Sequence, residues 1–241
     1  MPRFYIQNTL EIGNTLPLPE AVSHHIQVLR LAIGSPITLF NGEGGEYTAV
    51  ISTLEKKRVS VEIKNFSSRE VELPYAITVA QALPEASKLD WIIEKSVELG
   101  ATAIQPLSAQ RCVVRLNAER AEKKQAHWQA VIVSAAEQSG RNRLPHLAPL
   151  ASFNDWVSQQ GLHKRILLSP RGEESLSSWA RHQPPQSVSL LIGPEGGFTE
   201  AEENVACAQG VIMLAMGPRI LRTETAGLAA LTALNAIWGE M

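Results

Sequence analysis

Three segments rich in glycine and proline carry the residues best suited to chemistry. They read Ser169-Pro170-Arg171-Gly172, Gly193-Pro194-Glu195-Gly196-Gly197-Phe198 and Met216-Gly217-Pro218-Arg219-Ile220-Leu221-Arg222-Thr223. Glycine lets a backbone approach a ligand closely or adopt positive φ, and proline fixes the path of a loop. One such segment alone is most simply a tight turn between a strand and a helix. Three in succession indicate loops that frame one pocket.

The glycine-rich segments do not match the common phosphate-binding or hydrolase motifs. Glycine-rich loops at helix N-termini often bind anions. The sequence has neither G-x-x-x-x-G-K-[ST] nor a strand-following G-x-G-x-x-G with an acidic residue about twenty positions on. It also lacks G-x-S-x-G and H-E-x-x-H, which argues against a serine hydrolase or a zinc protease. Thr199 and Glu202 have capping-box spacing, which predicts a helix start rather than a catalytic pair.

Short apolar strands alternate with helices after Pro74. The predicted strands are residues 75–83, 101–107, 165–170, 188–193 and 211–216. The predicted helices are residues 87–100, where Ser87 and Asp90 suggest a capping box, and 118–140, 199–210 and 223–238. This alternation predicts an α/β domain with a parallel sheet covered on both faces. Ligands of such sheets bind beyond the carboxyl ends of the strands, where the three loops begin.

The region before Pro74 has a different pattern. Residues 36–66 alternate between apolar and polar positions, with a turn at Asn41-Gly42, which is typical of β-strands. Residues 18–31 read as one helix. We therefore predict a small β-barrel domain over residues 1–72 and an α/β domain over residues 73–241.

Composition predicts a globular protein, with 44% hydrophobic and 19% charged residues. The N-terminus lacks an apolar signal core and no apolar run reaches membrane-spanning length, so we expect a cytoplasmic protein without a membrane segment. Cys112 and Cys207 have neither metal-site nor redox-pair spacing, so we expect reduced thiols and no metal.

The net charge of −2 is low for a nucleic-acid binder, so only a local basic patch would support that role. The basic groups are Arg3/His24/His25/Arg30, Lys56–Arg58, Arg111/Arg115, Arg141/Arg143 and Arg219/Arg222.

Several blocks of the sequence resemble one known family. LLIGPEGGFTEAE and LAMGPRILRTETAGLAAL resemble the signature of the SPOUT-superfamily 16S rRNA uracil-N3 methyltransferases. HHIQVLRLAIG, WIIEKSVELGATAIQPL and AAEQSGRNR are similar to other blocks of that family, so the resemblance runs from about residue 24 to the C-terminus. Met216 is a mild departure, since the family pattern reads Leu-Gly-Pro-Arg there.

The resemblance implies a PUA-like N-terminal β-barrel that docks RNA and a SPOUT domain with a deep trefoil knot. It also implies a homodimer that transfers a methyl group from S-adenosylmethionine to N3 of a specific uridine in 16S rRNA, in the decoding region of the small ribosomal subunit. A stripe on the last helix, Leu228, Leu231, Leu234 and Trp238, suits either a dimer interface or ordinary core.

The same resemblance implies a cofactor pocket formed by the three loops and the strand ends before them. The residues assigned to it are Leu168, Ser169, Leu191, Ile192, Gly193, Pro194, Glu195, Gly196, Gly197, Leu214, Met216, Gly217, Ile220, Leu221, Arg222 and Thr223.

Methylation at uracil N3 requires loss of a proton and stabilisation of the negative charge that spreads onto O2 and O4. Arg222 is the first candidate for that electrostatic role, with Arg219 or Arg141 as alternatives. A salt bridge to a neighbouring carboxylate is the competing interpretation of Arg222. Glu195 and Glu224 are candidates for the general base, provided that burial moves the pKa toward neutrality.

RNA contacts are expected from basic and polar residues of both domains. They are Arg3, His24, His25, Arg30, Arg111, Arg141, Asn142 and Arg143. His24 and His25 are equally compatible with a helix surface that has no binding task. Two other functions remain open: a related SPOUT enzyme acting on another nucleotide or a ribose 2′-hydroxyl, and a non-catalytic RNA-binding module.

Overall fold

The computed structural model describes residues 1–55, 58–159, 161 and 163–239. Lys56 and Lys57 of the basic run, and the last two residues of the predicted C-terminal domain, lie outside the described residues. The chain divides into two compact units. Unit 1 comprises Met1–Glu72 and Ala136–Leu144, and unit 2 comprises Leu73–Ala135 and Pro145–Met241. The sequence assigned residues 136–144 to the second domain, but they pack with the first.

Unit 1 is built on a five-stranded sheet with one helix. Its strands lie in the order β1-β3-β4-β5-β2, and every pair is antiparallel except β1 with β3. The elements are β1 (Arg3–Tyr5), β2 (Thr15–Pro17), α1 (Glu20–Val28), β3 (Pro36–Phe40), β4 (Glu46–Leu54) and β5 (Val59–Ser67). Val59, Val61 and Ile63 are fully buried on one face of β5, which confirms the predicted alternation.

Unit 2 contains a sheet in which every strand pair is parallel, which confirms the predicted α/β class. In the described residues the order is β11-β13-β10-β12-β6-β7-β8, and β9 also pairs with β7. The strands are β6 (Ile77–Ala82), β7 (Ala103–Ser108), β8 (His146–Leu147), β9 (Ala151–Ser152), β10 (Lys164–Leu168), β11 (Glu174–Ser175), β12 (Val188–Ile192) and β13 (Ile212–Ala215). The trefoil knot implied by the resemblance stays a prediction.

Six helices follow α1 in the described part of the chain. They are α2 (Lys88–Glu98), α3 (Ala118–Ser139), α4 (Phe153–Ser158), α5 (Leu176–Arg181), α6 (Glu200–Ala208) and α7 (Thr223–Trp238). The capping box of Thr199 and Glu202 is present at α6, as predicted. The box predicted at Ser87 is absent. Asp90 instead accepts a hydrogen bond from Trp128 Nε1 at 3.1 Å and pairs with His127.

The apolar stripe of α7 is mostly core. Leu231 and Leu234 are fully buried and Trp238 nearly so, whereas Leu228 is half-buried. The Trp238 ring contacts Tyr75 and Trp179, and its Nε1 donates to the Ala180 carbonyl. The stripe therefore stabilises unit 2 itself, and a homodimer stays a prediction. Among the described residues, no helix is both long and apolar enough to cross a membrane.

Candidate functional site

The three glycine- and proline-rich loops meet at one cavity of unit 2. They follow β10, β12 and β13, which are neighbours in the sheet in the order β13-β10-β12. Because these strands are parallel, their carboxyl ends lie at the same edge. The cavity has a volume of about 510 Å³ and is lined by residues from all three loops. The sheet order therefore explains how segments far apart in sequence form one site.

Most of the residues assigned to a cofactor pocket line this cavity. They are Leu168, Ser169, Ile192, Gly193, Pro194, Glu195, Gly196, Gly197, Met216, Gly217, Ile220, Leu221, Arg222 and Thr223. Leu191 and Leu214 do not line it, since they lie within β12 and β13 and are buried in the layers around the sheet. Sequence reasoning missed Lys88, Glu203 and Ala226, which also line the cavity.

The loop after β12 folds tightly on itself. The Gly197 amide donates to the Pro194 carbonyl at 2.8 Å, and Gly197 has a φ of +65°. A side chain at Gly193 would come within 3.0 Å of the Gly197 Cα and the Phe198 nitrogen. The two glycines thus let the loop turn within a few residues and expose backbone groups to the cavity.

Lys88, in the first turn of α2, contributes a cation to this cavity. Its Nζ lies 2.6 Å from Glu195 Oε1 and 4.0 Å from Glu224 Oε2. The backbone amide of Glu85 also donates to Glu195, at 3.1 Å. Glu224 Oε2 is buried and has no hydrogen-bond partner in the described structure. One ammonium therefore faces two candidate catalytic carboxylates.

Opposing effects act on the pKa of Glu195. Partial burial raises this pKa, but the hydrogen bonds from Lys88 and backbone amides, with the charge of Lys88, lower it below its ordinary value of 4.5. The pKa of Lys88 is raised above 10.5, chiefly by the same hydrogen bond. A general base needs the opposite shift. The ion pair therefore argues against Glu195, whereas Lys88 lies 4.0 Å from Glu224 and forms no hydrogen bond with its Oε2.

The arginines around the cavity differ in whether their side chains have a partner within the protein. Arg171 pairs with the buried carboxylate of Glu203. Arg111 donates to the carbonyls of Gly196 and Phe198, at 2.8 and 3.3 Å, so it supports the loop after β12. Arg219 and Arg222 are exposed and, within the described part of the chain, form no ion pair. The described structure thus gives no support to the salt-bridge interpretation of Arg222.

The hydroxyl of Thr223 links the start of α7 to the loop after β12. Thr223 Oγ1 donates to the Gly193 carbonyl at 2.5 Å and accepts from Gln81 Nε2 at 2.9 Å. Gln81 itself is fully buried near the carboxyl end of β6. The hydroxyl proton of Thr223 is thus already used within the protein.

Three of the predicted RNA contacts are internal parts of unit 1. Arg3 pairs with Glu46 and donates to the Asn142 side chain at 2.6 Å. Arg141 is 3% exposed and forms a two-pronged ion pair with Glu72. Arg141 and Asn142 are buried, Arg3 is half-buried, and their partners within unit 1 argue against these three RNA contacts. For the same reason Arg141 is not an alternative to Arg222.

The other predicted RNA contacts lie at the surface. His24, His25, Arg30 and Arg143 in unit 1 and Arg111 in unit 2 are exposed. Arg30 follows α1 and has a φ of +54°, a left-handed conformation that is strained for a side chain other than glycine. Strained residues cluster at functional sites, so Arg30 is the strongest candidate for an RNA contact in this group.

The sequence predicted no metal site and two reduced cysteines. No group of three or more His, Cys, Asp or Glu within the described ranges has the arrangement of a metal site. Both cysteines are free thiols, as predicted, with Cys112 buried and Cys207 exposed. Burial raises the pKa of the Cys112 thiol, which favours an unreactive, protonated side chain.

Two protein-family models match the chain. Residues 71–235 match an RNA methyltransferase domain, and residues 18–64 match an RNA methyltransferase PUA domain. Among individual proteins, the ribosomal RNA small subunit methyltransferase E of Bacillus subtilis (strain 168) is 37% identical, over 98% of this chain and 96% of its own length.

Solved structures agree with these matches. A ribosomal RNA small subunit methyltransferase E from Neisseria gonorrhoeae, bound to S-adenosyl methionine, is 40% identical. It has a TM-score of 0.94 and aligns over 99% of this chain and 98% of its own. A methyltransferase structure from Legionella pneumophila, solved in complex with the same cofactor, is 36% identical with a TM-score of 0.92, over 97% and 96% of the two chains.

Proposed function

The chain belongs to the ribosomal RNA small subunit methyltransferase E family, and we propose that it transfers a methyl group from S-adenosylmethionine to N3 of a specific uridine in 16S rRNA. The proposed uridine lies in the decoding region of the small ribosomal subunit. The observation that carries the proposal is the single cavity formed by the loops after β10, β12 and β13.

The cavity suits S-adenosylmethionine in size and chemistry. A volume of about 510 Å³ lies in the range of small-molecule sites. Leu168, Ile192 and Leu221 offer apolar surface to an adenosine, and the loop backbones offer donors and acceptors to its edges. When bound, the cofactor supplies a methyl group on a positively charged sulfur.

Arg222 is the residue we assign to the uracil. It lines the cavity directly before the first turn of α7, and its guanidinium is exposed and without an ion pair in the described structure. A uracil that loses its N3 proton carries negative charge on O2 and O4, and a guanidinium stabilises such charge through directed hydrogen bonds. Arg219, four residues into the same loop, is the alternative.

Glu224 is the better candidate for the group that accepts the N3 proton. Its Oε2 is buried without a hydrogen-bond partner, whereas Glu195 is held by Lys88 and the Glu85 amide. A base must lie within hydrogen-bond reach of the proton it removes, and a carboxylate oxygen of a cavity residue that accepts no hydrogen bond within the described structure can accept one. We therefore assign proton acceptance to Glu224 and a loop-holding role to Glu195.

RNA docking is assigned to the exposed basic residues of unit 1. His24, His25 and Arg30 lie on or directly after α1. Cationic side chains of this kind contact phosphates and orient an RNA without reading its sequence. Arg111 and Arg143 are further candidates. We further propose that the protein is a cytoplasmic homodimer and that its reaction needs no metal.

Methyl transfer from labelled S-adenosylmethionine to small ribosomal subunits that lack this modification tests the proposal. We expect incorporation of label into 16S rRNA that depends on the protein and is strongly slowed by Arg222→Ala. Calorimetry that shows no binding of S-adenosylmethionine or S-adenosylhomocysteine would instead favour a non-catalytic RNA-binding module.

A further inference from the structure

Gln81 is a fully buried polar residue near the end of the apolar strand β6, beside the cavity but not among its lining residues. In the sheet it is paired with Ile192, the last residue of β12 before Gly193. This register brings its amide to the point where the loop after β12 begins.

The amide nitrogen of Gln81 contacts two elements of the cavity. Nε2 donates to Thr223 Oγ1 at 2.9 Å and approaches the Gly193 carbonyl at 3.5 Å, while a further bond goes to its own neighbour, the Ala82 carbonyl, at 2.9 Å. Because Thr223 Oγ1 gives its proton to Gly193, it can only accept from Gln81. The chain Gln81–Thr223–Gly193 therefore has a fixed direction.

The rest of the Gln81 side chain is unfavourable for stability. Oε1 is buried and has no hydrogen-bond partner among the described residues. Buried polar atoms are nearly always paired, so an exception needs an explanation. An apolar side chain would fill this position in β6 without leaving an unpaired acceptor. An apolar side chain, however, has no N–H group to donate to Thr223 or to reach Gly193, which explains a glutamine at this position.

We propose that Gln81 is a positioning residue for the cofactor pocket, which sets the loop after β12 against the start of α7 through Thr223 and Gly193. It acts without touching the ligand, because both of its partners line the cavity and Gln81 does not. The inference rests on the proposed function, since the ligand of the cavity is taken to be S-adenosylmethionine.

Gln105 provides a matched control on the neighbouring strand. It is also buried, lies on β7, and donates from Nε2 to the carbonyl of its own next residue, Pro106, and to Pro149, both at 2.8 Å. Neither carbonyl belongs to the cavity. Loss of the Gln105 amide thus removes similar buried hydrogen bonds without touching the cofactor loops.

The test compares Gln81→Met with Gln105→Met in the full chain. Met has a similar volume and adapts to irregular core space. Binding of S-adenosylhomocysteine is measured by calorimetry, and backbone hydrogen exchange is followed by mass spectrometry in peptides covering residues 193–199. We expect Gln81→Met to weaken binding about ten-fold and to speed exchange in that loop. Gln105→Met should leave both unchanged, whatever its effect on the melting temperature.

Thr223→Val approaches the same link from the other side, and if Gln81→Met does not fold, it is compared with Thr223→Ser, which keeps the hydroxyl and should bind like wild type. Thr223→Val should weaken binding and speed loop exchange, and adding Gln81→Met to it should cause little further loss, since the two residues act as one unit. Binding and exchange like wild type in folded Gln81→Met or in Thr223→Val, or an equal loss in Gln105→Met, would overturn the inference. If the wild type itself binds no cofactor, the proposed function fails, and loop exchange alone still tests Gln81.

Discussion

Nζ of Lys88 lies 2.6 Å from Oε1 of Glu195, which joins the first turn of α2 to the glycine-rich loop after β12. This ion pair holds the loop from one side of the cavity, while the Arg111 guanidinium holds it through the carbonyls of Gly196 and Phe198. The loop is thus fixed by side chains from other parts of unit 2.

The Lys88–Glu195 pair predicts a defined pH dependence of stability. Glu195 has a lowered pKa in the folded protein, so its contribution is present above its ordinary value of 4.5 and is lost as the pH falls through the lower folded value. Lys88 has a raised pKa, so its contribution is complete below 10.5 and is lost above it. Urea unfolding at pH 7 should show Glu195→Gln to be less stable than wild type, and the difference should shrink as the pH is lowered below 4.5. A difference that stays the same as the pH is lowered would contradict this account.

The two cavity carboxylates should differ in their effect on the reaction. We expect Glu224→Gln to lower kcat about 100-fold, because it removes the group that accepts the N3 proton. Glu195→Gln should change kcat far less and act mainly on the KM for the cofactor. Steady-state kinetics with both substrates varied separates the two effects. The assignment is reversed if Glu195→Gln is the variant that loses kcat and its pH dependence.

Arg222→Ala should lower the single-turnover rate about 100-fold while the affinity for S-adenosylhomocysteine stays within about two-fold, since its guanidinium acts on charge that develops in the uracil. Arg222→Lys should recover only part of the rate, because an ammonium lacks the planar fork of donors. Arg219→Ala, in the same loop, is the control variant and should lose less rate than Arg222→Ala. An Arg219 variant that loses more rate than the Arg222 variant would transfer the role to Arg219.

Arg141 and Arg143 are two residues apart and should behave oppositely. Arg141→Leu breaks the buried pair with Glu72 and should lower the free energy of unfolding by about 3 kcal/mol. Arg143→Ala removes an exposed side chain 3.7 Å from Glu70 and should cost less than about 0.5 kcal/mol. Urea denaturation of both variants measures this. Equal stability of the two would show that the buried network is not stabilising.

The polar turn at 140–143 shows where sequence reasoning reaches its limit. Its basic residues are typical of an RNA contact, but the partner of Arg141 is Glu72, which is 69 positions away. Burial of a charge depends on such long-range pairing, which local spacing does not reveal. Gln81 is a parallel case. In the sequence it is only one polar residue in an apolar strand, and its partners Gly193 and Thr223 come from the loop after β12 and from α7.

Elements with a strong local signal were predictable. The continuous apolar runs of β6 and β12 and the amphipathic α7 appeared close to their predicted bounds. The short strands β1, β2, β8, β9 and β11 and the helices α4 and α5 were not predicted, since elements of two to six residues are fixed by pairing and packing rather than by periodicity. The common position of the three loops followed from the parallel sheet, because that rule depends on topology alone.

Variants of Arg30 test whether RNA docking and cofactor binding are independent. Arg30→Ala and Arg30→Gly both remove the charge, so both should weaken binding of small-subunit RNA and reduce the salt dependence by about one phosphate contact. Their stabilities should differ, since glycine relieves the left-handed strain at φ +54° and should be about 1 kcal/mol more stable than alanine. Filter binding, calorimetry with S-adenosylhomocysteine and thermal unfolding measure the three quantities. A parallel loss of cofactor affinity would contradict the separation.

The most direct test of the proposed activity is the identity of the methylated nucleoside. The protein is incubated with labelled S-adenosylmethionine and either unmodified small ribosomal subunits or free 16S rRNA, and the RNA is digested to nucleosides for mass spectrometry. The proposal predicts 3-methyluridine as the labelled product, at one position of 16S rRNA. A labelled 2′-O-methyl nucleoside, or a methyl group on a base other than uracil, would contradict it.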